Sequence, residues 1–252
     1  MRFGTIIIGS EILTGKRHDK HLTHVIQAIA QRGRELAWAT ILADEPSLIV
    51  DALRRSFGSS DVVFCFGGIG ATPDDYTRQC AADALAVPLL RHPDAVAEIE
   101  AQYGTRAYPN RILMAELPQG SRIIPNPQNR VPGFSYHQHH FFPGFPSMAW
   151  PMLEWVLDKE YRALPNSEFP IERNLIAYAV RESELLDVMQ AFVTQFPTVK
   201  FSSLPCIDTA EPHIEFGARG TYADVVNAIE YLRRALTDRA VRVVDKPGED
   251  KG

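Results

Sequence analysis

The sequence predicts an α/β protein on a mostly parallel sheet, followed by a second, smaller α+β domain. Apolar runs short enough for buried strands alternate three times with amphipathic helices of about 10–15 residues. Each of these strands breaks into a turn of small, acidic or hydroxyl residues. Beyond about residue 165 the order changes to βαββα, which suits a small domain with an antiparallel pair.

Taken in order, Thr5 to Ile8 is the first strand, and Gly9-Ser10-Glu11-Ile12-Leu13-Thr14-Gly15 the turn after it. A helix from Asp19 to Arg32 places Leu22, Val25, Ile26, Ile29 and Ala30 on one face, and Gly33 ends it. Strand Leu36 to Leu42, a loop with Asp44, and helix Ser47 to Phe57 repeat the unit. Strand Asp61 to Phe66, a glycine turn and helix Thr72 to Ala86 make the third. Helices Pro93 to Tyr103 and Tyr108 to Leu117 follow, then strand Ser121 to Ile124, the proline-rich loop Pro125 to Phe134, a strand pair within Ser135 to Phe142, the turn Pro143-Gly144-Phe145-Pro146 and helix Ser147 to Leu157. Composition turns linker-like around Tyr161 to Phe169. Strand Asn174 to Ala179, helix Ser183 to Gln195, strands Thr198 to Leu204 and His213 to Ala218, and helix Thr221 to Leu236 form the small domain. A charged tail, 245–252, is expected to be disordered.

Ligands of parallel sheets bind at the carboxyl ends of the strands, so the loops at Gly9, Asp44 and Gly67 converge on one edge. The richest is Gly67-Gly68-Ile69-Gly70-Ala71-Thr72-Pro73-Asp74-Asp75-Tyr76-Thr77. Thr72 and Pro73 read as the N-cap and first position of a helix. Glycines allow close backbone approach, and exposed amides at a helix N-terminus favour an anion. Asp74 and Asp75 would repel a phosphate unless a divalent cation lies between. The stretch therefore predicts a phosphorylated ligand with metal. The same acids also suit the second and third positions of any helix.

The 252 residues, 45% hydrophobic and 23% charged with a net charge of -5, leave no basic surplus for a nucleic-acid backbone. No apolar run approaches the roughly 20 residues that span a bilayer, and no secretory signal is visible. Cys65, Cys80 and Cys206 lack paired or zinc-site spacing. The expectation is a cytoplasmic protein with a small-molecule phosphorylated ligand and no nucleic-acid or membrane partner.

In order and spacing, Gly9 to Gly15, Gly67 to Thr77, Asn126 with Val131-Pro132-Gly133-Phe134, and Pro143-Gly144-Phe145-Pro146 resemble the molybdopterin-binding (MoaB/Mog-like) domain, closest to the N-terminal domain of CinA proteins. Residues 1–164 carry the resemblance. Residues 170–240 resemble the KH-like small domain of CinA-type proteins, through Arg181-Glu182-Ser183-Glu184-Leu185. The deamidase domain of those proteins has no counterpart here, so its activity is not expected.

The resemblance implies a three-layer α/β domain that binds molybdopterin or a nucleotide pyrophosphate and assembles as a dimer or trimer. It implies metal-dependent pyrophosphatase chemistry on ADP-ribose-like dinucleotides, with adenylyl transfer to molybdopterin or non-catalytic binding as alternatives. By motif position Gly9, Ser10, Gly67, Gly68, Gly70, Thr72, Thr77, Asn126, Gly133, Pro143 and Gly144 hold the ligand. Asp74 and Asp75 hold Mg, Mn or Co. Asp75, Asp44 and Glu11 are the catalytic set, Glu11 as general base. Two positions depart from the pattern: Ser10 stands where many members have Asp, and Met148 where CinA-type chains have Glu.

The remaining features read as structural. In a short strand two of His137, His139 and His140 point to opposite faces, which does not suit a metal. His18, His21 and His24 are expected at the surface. Phe134, Tyr136, Phe141, Phe142 and Phe145 are expected in the core, with one ring available to stack on a pterin or adenine. Arg130 is either a phosphate partner or a solvated cation.

Overall fold

The computed structural model describes residues 1–163, 165 and 169–246. The chain forms two compact units, Met1–Leu164 and Pro165–Gly252. No described helix is long and apolar enough to cross a membrane.

In the first unit the elements run β1 (Phe3–Ile8), α1 (Ser10–Leu13), α2 (His21–Ala30), β2 (Leu36–Leu42), α3 (Pro46–Phe57), β3 (Val62–Phe66), α4 (Thr77–Leu85), β4 (Leu89–Arg91), α5 (Pro93–Tyr103), β5 (Glu116–Pro118), β6 (Arg122–Ile124), β7 (Gly133–Tyr136), β8 (His139–Phe142) and α6 (Pro146–Glu160). Six strands make one mixed sheet in the order β2-β1-β3-β8-β7-β6, and β4 pairs with β5 apart from it. β2, β1, β3 and β8 are parallel, with Ile7 opposite Phe66 and Phe66 opposite Phe142. β6, β7 and β8 are antiparallel.

The period of two along each strand divides the core into two layers. Ile6, Ile8, Val63 and Cys65 face Ile49 and Leu53 of α3, Ala81 of α4 and Ile99 of α5. Phe3, Ile7, Phe64 and Phe66 face Val25 and Ile29 of α2 and Met152 and Val156 of α6. Helices on both faces explain why β3 is apolar at every position.

Several elements differ from the sequence expectation. α4 begins at Thr77, not Thr72. The Asp75 amide donates to the Thr72 carbonyl (3.0 Å) and the Asp75 carboxylate accepts from the Thr72 amide (2.8 Å), so residues 72–75 close on themselves as a turn. The helix expected over Tyr108 to Leu117 is a 3₁₀ turn, Arg111–Ala115, leading into β5.

The second unit comprises β9 (Ile171–Tyr178), a 3₁₀ turn Glu182–Leu185, α7 (Leu186–Gln195), β10 (Lys200–Cys206), β11 (His213–Gly220), α8 (Tyr222–Thr237) and β12 (Arg242–Asp245). Its sheet is antiparallel in the order β10-β11-β9-β12. Leu175, Phe216, Phe192 and Leu232 join this sheet to its two helices in a separate core. Asp245, expected in a disordered tail, instead ends β12, which pairs with β9. The tail from residue 247 and four residues of the expected linker (164 and 166–168) lie outside the described residues.

Candidate functional site

All four parallel strands end at one edge, and their loops build the site. After β3, Gly67 and Gly68 take φ of +100° and +67°. A side chain on Gly67 would stand 2.2 Å from the Ile8 carbonyl, and one on Gly68 would stand 2.3 Å from Thr77 Oγ1. At Gly70 it would meet the Asp75 carboxylate at 2.5 Å. The glycines are thus required first by the packing of the turn on its neighbours.

That packing fixes the polarity of the turn. Thr77 Oγ1 donates to the Gly67 carbonyl (2.9 Å), and the Thr77 amide donates to the Gly68 carbonyl (2.9 Å). Arg78 donates to Ile69 O (Nε, 3.0 Å) and to Gly70 O (Nη2, 2.7 Å). Four successive carbonyls are drawn inward. No described residue accepts from the amides of Gly68, Ile69, Gly70 or Ala71. A row of outward amides over a cation is an anion-binding arrangement.

Arg78 is the residue the sequence reading missed. It is 3% exposed and also donates from Nη1 to Leu113 O (2.6 Å) and Glu116 O (2.9 Å). Burial pulls its pKa down, opposed by the Glu116 and Asp75 carboxylates. The available signal was position: Arg78 occupies the apolar stripe of α4 with Ala82 and Leu85, where a cation must have partners.

The carboxylates lie around this turn. The Thr72 hydroxyl sits between Asp74 Oδ1 (2.6 Å) and Asp75 Oδ2. That hydrogen bond holds the exposed Asp74 carboxyl below its ordinary pKa. At the neighbouring loops the Ser10 amide donates to Asp44 Oδ2 (2.7 Å), and the Asp44 amide donates to Ser10 Oγ (2.9 Å). Ser10 and Asp44 therefore latch the β1 and β2 loops to each other. Glu11 folds back over Gly9, its Oε2 3.0 Å from where a side chain on Gly9 would begin. No three carboxylates of this edge bring oxygens within 4.8 Å of one another.

Pro143 and Gly144 follow β8 beside the glycine turn. The Gly67 amide donates to Phe142 O (3.0 Å), and a side chain on Gly144 would stand 3.5 Å from Gly67 Cα. His21, expected at the surface, is 5% exposed: its ring stacks on Phe66 at 4.5 Å and Nε2 donates to Gly144 O (3.1 Å). Phe145, expected in the core, is 59% exposed, whereas Phe134, Phe141 and Phe142 are fully buried.

Asn126 and Gly133 are committed to structure. Asn126 is buried and its side chain bonds Asn129, Val131 and Gln128 within its own loop. Gly133 lies against Phe141 O and Met152. Asn129 Nδ2 lies 3.4 Å from Met148 Sδ, tying the same loop to α6. Arg130 pairs with Glu98 (2.7 Å). His139 and His140 are buried against Ser56, Ser135 and Tyr161.

Residues 4–163 match the MoCF_biosynth family, "Probable molybdopterin binding domain". A CinA-like protein of Cyanothece sp. is 33% identical over 242 residues, 92% of this chain and 56% of the relative. Another, of Desulfovibrio desulfuricans, is 34% identical over 160 residues, 61% of this chain and 38% of the relative. The chain thus spans part of the length of these relatives. Among solved structures, the protein CinA of unknown function from Thermoplasma acidophilum aligns with a TM-score of 0.58 and 27% identity, over 63% of this chain and 98% of that one. The match takes in the mixed sheet and the glycine turn at its centre, and the chain belongs to the molybdopterin-binding domain family.

Proposed function

We propose that the first unit binds the phosphate or pyrophosphate of a molybdopterin or nucleotide at the 67–71 turn. The observation that carries this reading is the polarity of the turn, with four carbonyls tied inward and four amides left for an anion. Phe145, exposed beside the turn, offers a ring on which a pterin or adenine stacks.

Asp74 and Asp75, joined through Thr72, suit a divalent cation shared with the ligand's phosphate oxygens. They do not amount to an all-protein cage. A bound cation would neutralise phosphate charge and acidify a water, the chemistry of a metal-dependent pyrophosphatase. In that second reading the 68–71 amides stabilise charge at phosphorus and Glu11 accepts the proton of water. Binding without turnover is the better supported of the two. Ser10 is engaged by Asp44 and Met148 by Asn129, so neither family position supplies a carboxylate. The antiparallel sheet and two helices of the second unit support its reading as a KH-like module.

Calorimetry with ADP-ribose, FAD and molybdopterin tests the binding site. Gly68→Ala is expected to weaken binding at least about tenfold, because a methyl at positive φ collides with Thr77 and turns the amides. Unchanged affinity in a folded variant would sink the assignment. In a parallel assay with Mg, Mn or Co, mononucleotide release lost in Asp75→Ala would promote the pyrophosphatase reading. Adenylyl transfer would instead show as ATP-dependent adenylation of molybdopterin.

A further inference from the structure

We propose that the second unit carries a transition-metal site made by Cys206, His213 and Glu215, of a kind that takes Zn²⁺. The three side chains come from one sheet end: Cys206 pairs with His213 across β10 and β11, and Glu215 follows His213 by two, on the same face. One ligand atom from each lies within 4.8 Å of the others, the only such group among the described residues. Thiolate, imidazole and carboxylate are the donors zinc takes, and three protein ligands leave a fourth tetrahedral position open.

The surroundings orient the ligands. His213 Nδ1 stands 2.8 Å from the Glu211 carbonyl. A carbonyl only accepts, so Nδ1 carries the proton and Nε2 presents its lone pair, the arrangement usual for metal-bound imidazoles. That lone pair stands 3.8 Å from Glu215 Oε1. Two ligands on one tetrahedral zinc are about 3.3–3.6 Å apart, from bond lengths of about 2.0–2.3 Å. His213 and Glu215 reach that spacing by closing a few tenths of an ångström, and the Cys206 thiol, within 4.8 Å of both, by about 1 Å at most. Lys246 donates to the other carboxylate oxygen, Oε2 (2.6 Å), leaving Oε1 for the ion. Arg242 pairs with the Glu211 side chain and lies over the Tyr178 ring, which packs on His213 at 5.4 Å. Glu211, Lys246 and Tyr178 thus brace the ligands, and binding releases the thiol proton. The inference does not depend on the phosphate site proposed for the first unit.

The test is titration of the full chain with Co²⁺ as a spectroscopic probe, then displacement by Zn²⁺. Cys65 and Cys80 are buried, so a thiolate charge-transfer band reports Cys206. One equivalent of Co²⁺ is expected to give that band, and Zn²⁺ to abolish it. Cys206→Ser removes the band, while His213→Gln and Glu215→Gln weaken binding at least about tenfold with unchanged far-ultraviolet circular dichroism. No band, or a band that survives in Cys206→Ser, overturns the proposal. So would equal affinity in all three folded variants.

Discussion

Arg78→Met is expected to lower the stability of the first unit by about 4 kcal/mol and to abolish phosphate binding. The guanidinium satisfies four carbonyls, that of Ile69 buried and those of Gly70, Leu113 and Glu116 part-buried, and a buried acceptor left without a donor costs about 1–3 kcal/mol, a part-buried one less. Partial relaxation and entry of water keep the loss below the sum. Against a net stability of about 5–15 kcal/mol this is a large fraction. Trp38, Trp150 and Trp155 all lie in the first unit, so urea unfolding followed by tryptophan fluorescence reports that unit separately. Arg78→Lys keeps a charge but replaces a planar fork with a single head, and is expected to recover only part of the loss. A Met variant within about 1 kcal/mol of wild type would show that the turn holds its shape without Arg78.

The strands and the glycine turn were legible because their signals are local. β2 and α5 have the expected bounds, since apolar period and flanking breakers define both ends. The start of α4 was not legible. Thr72 and Pro73 satisfy every local rule for a helix start, yet the Asp75 carboxylate reaches back to the Thr72 amide, and the true start is set by Thr77 bonding Gly67 and Gly68. The sites of Arg78 and His21 were hidden for a related reason. Their partners, Leu113 and Glu116 for one and Gly144 for the other, lie 35, 38 and 123 residues away. β12 escaped because four residues, two of them charged, carry no apolar period until β9 supplies a partner.

Acid is expected to unfold the first unit, starting below pH 6.5. Burial depresses His139 and His140 to about 3, from an ordinary value of 6.5. The sign follows from which state binds protons first: the unfolded chain takes them up near 6.5, the folded chain only near 3, so stability is complete above 6.5 and falls as pH drops through that window. Each ring contributes up to about 1.4 kcal/mol per pH unit, so between pH 7.5 and 5 the pair removes about 4 kcal/mol. His21, whose pKa burial also lowers, acts in the same direction. The geometry explains why the folded rings resist protons. Ser56 donates to Leu53 O and so accepts from His139 Nε2, while His140 sits fully buried between Ser135 and Tyr161. A second proton on His139 would place charge among Phe57, His140 and Asp61, where only the last is anionic. Urea midpoints read by tryptophan fluorescence from pH 7.5 to 5 test this, with His140→Gln expected to remove about 2 kcal/mol of the change. A midpoint independent of pH over that range would mean that the interior admits water or a counter-ion to these rings, and that burial does not set their charge.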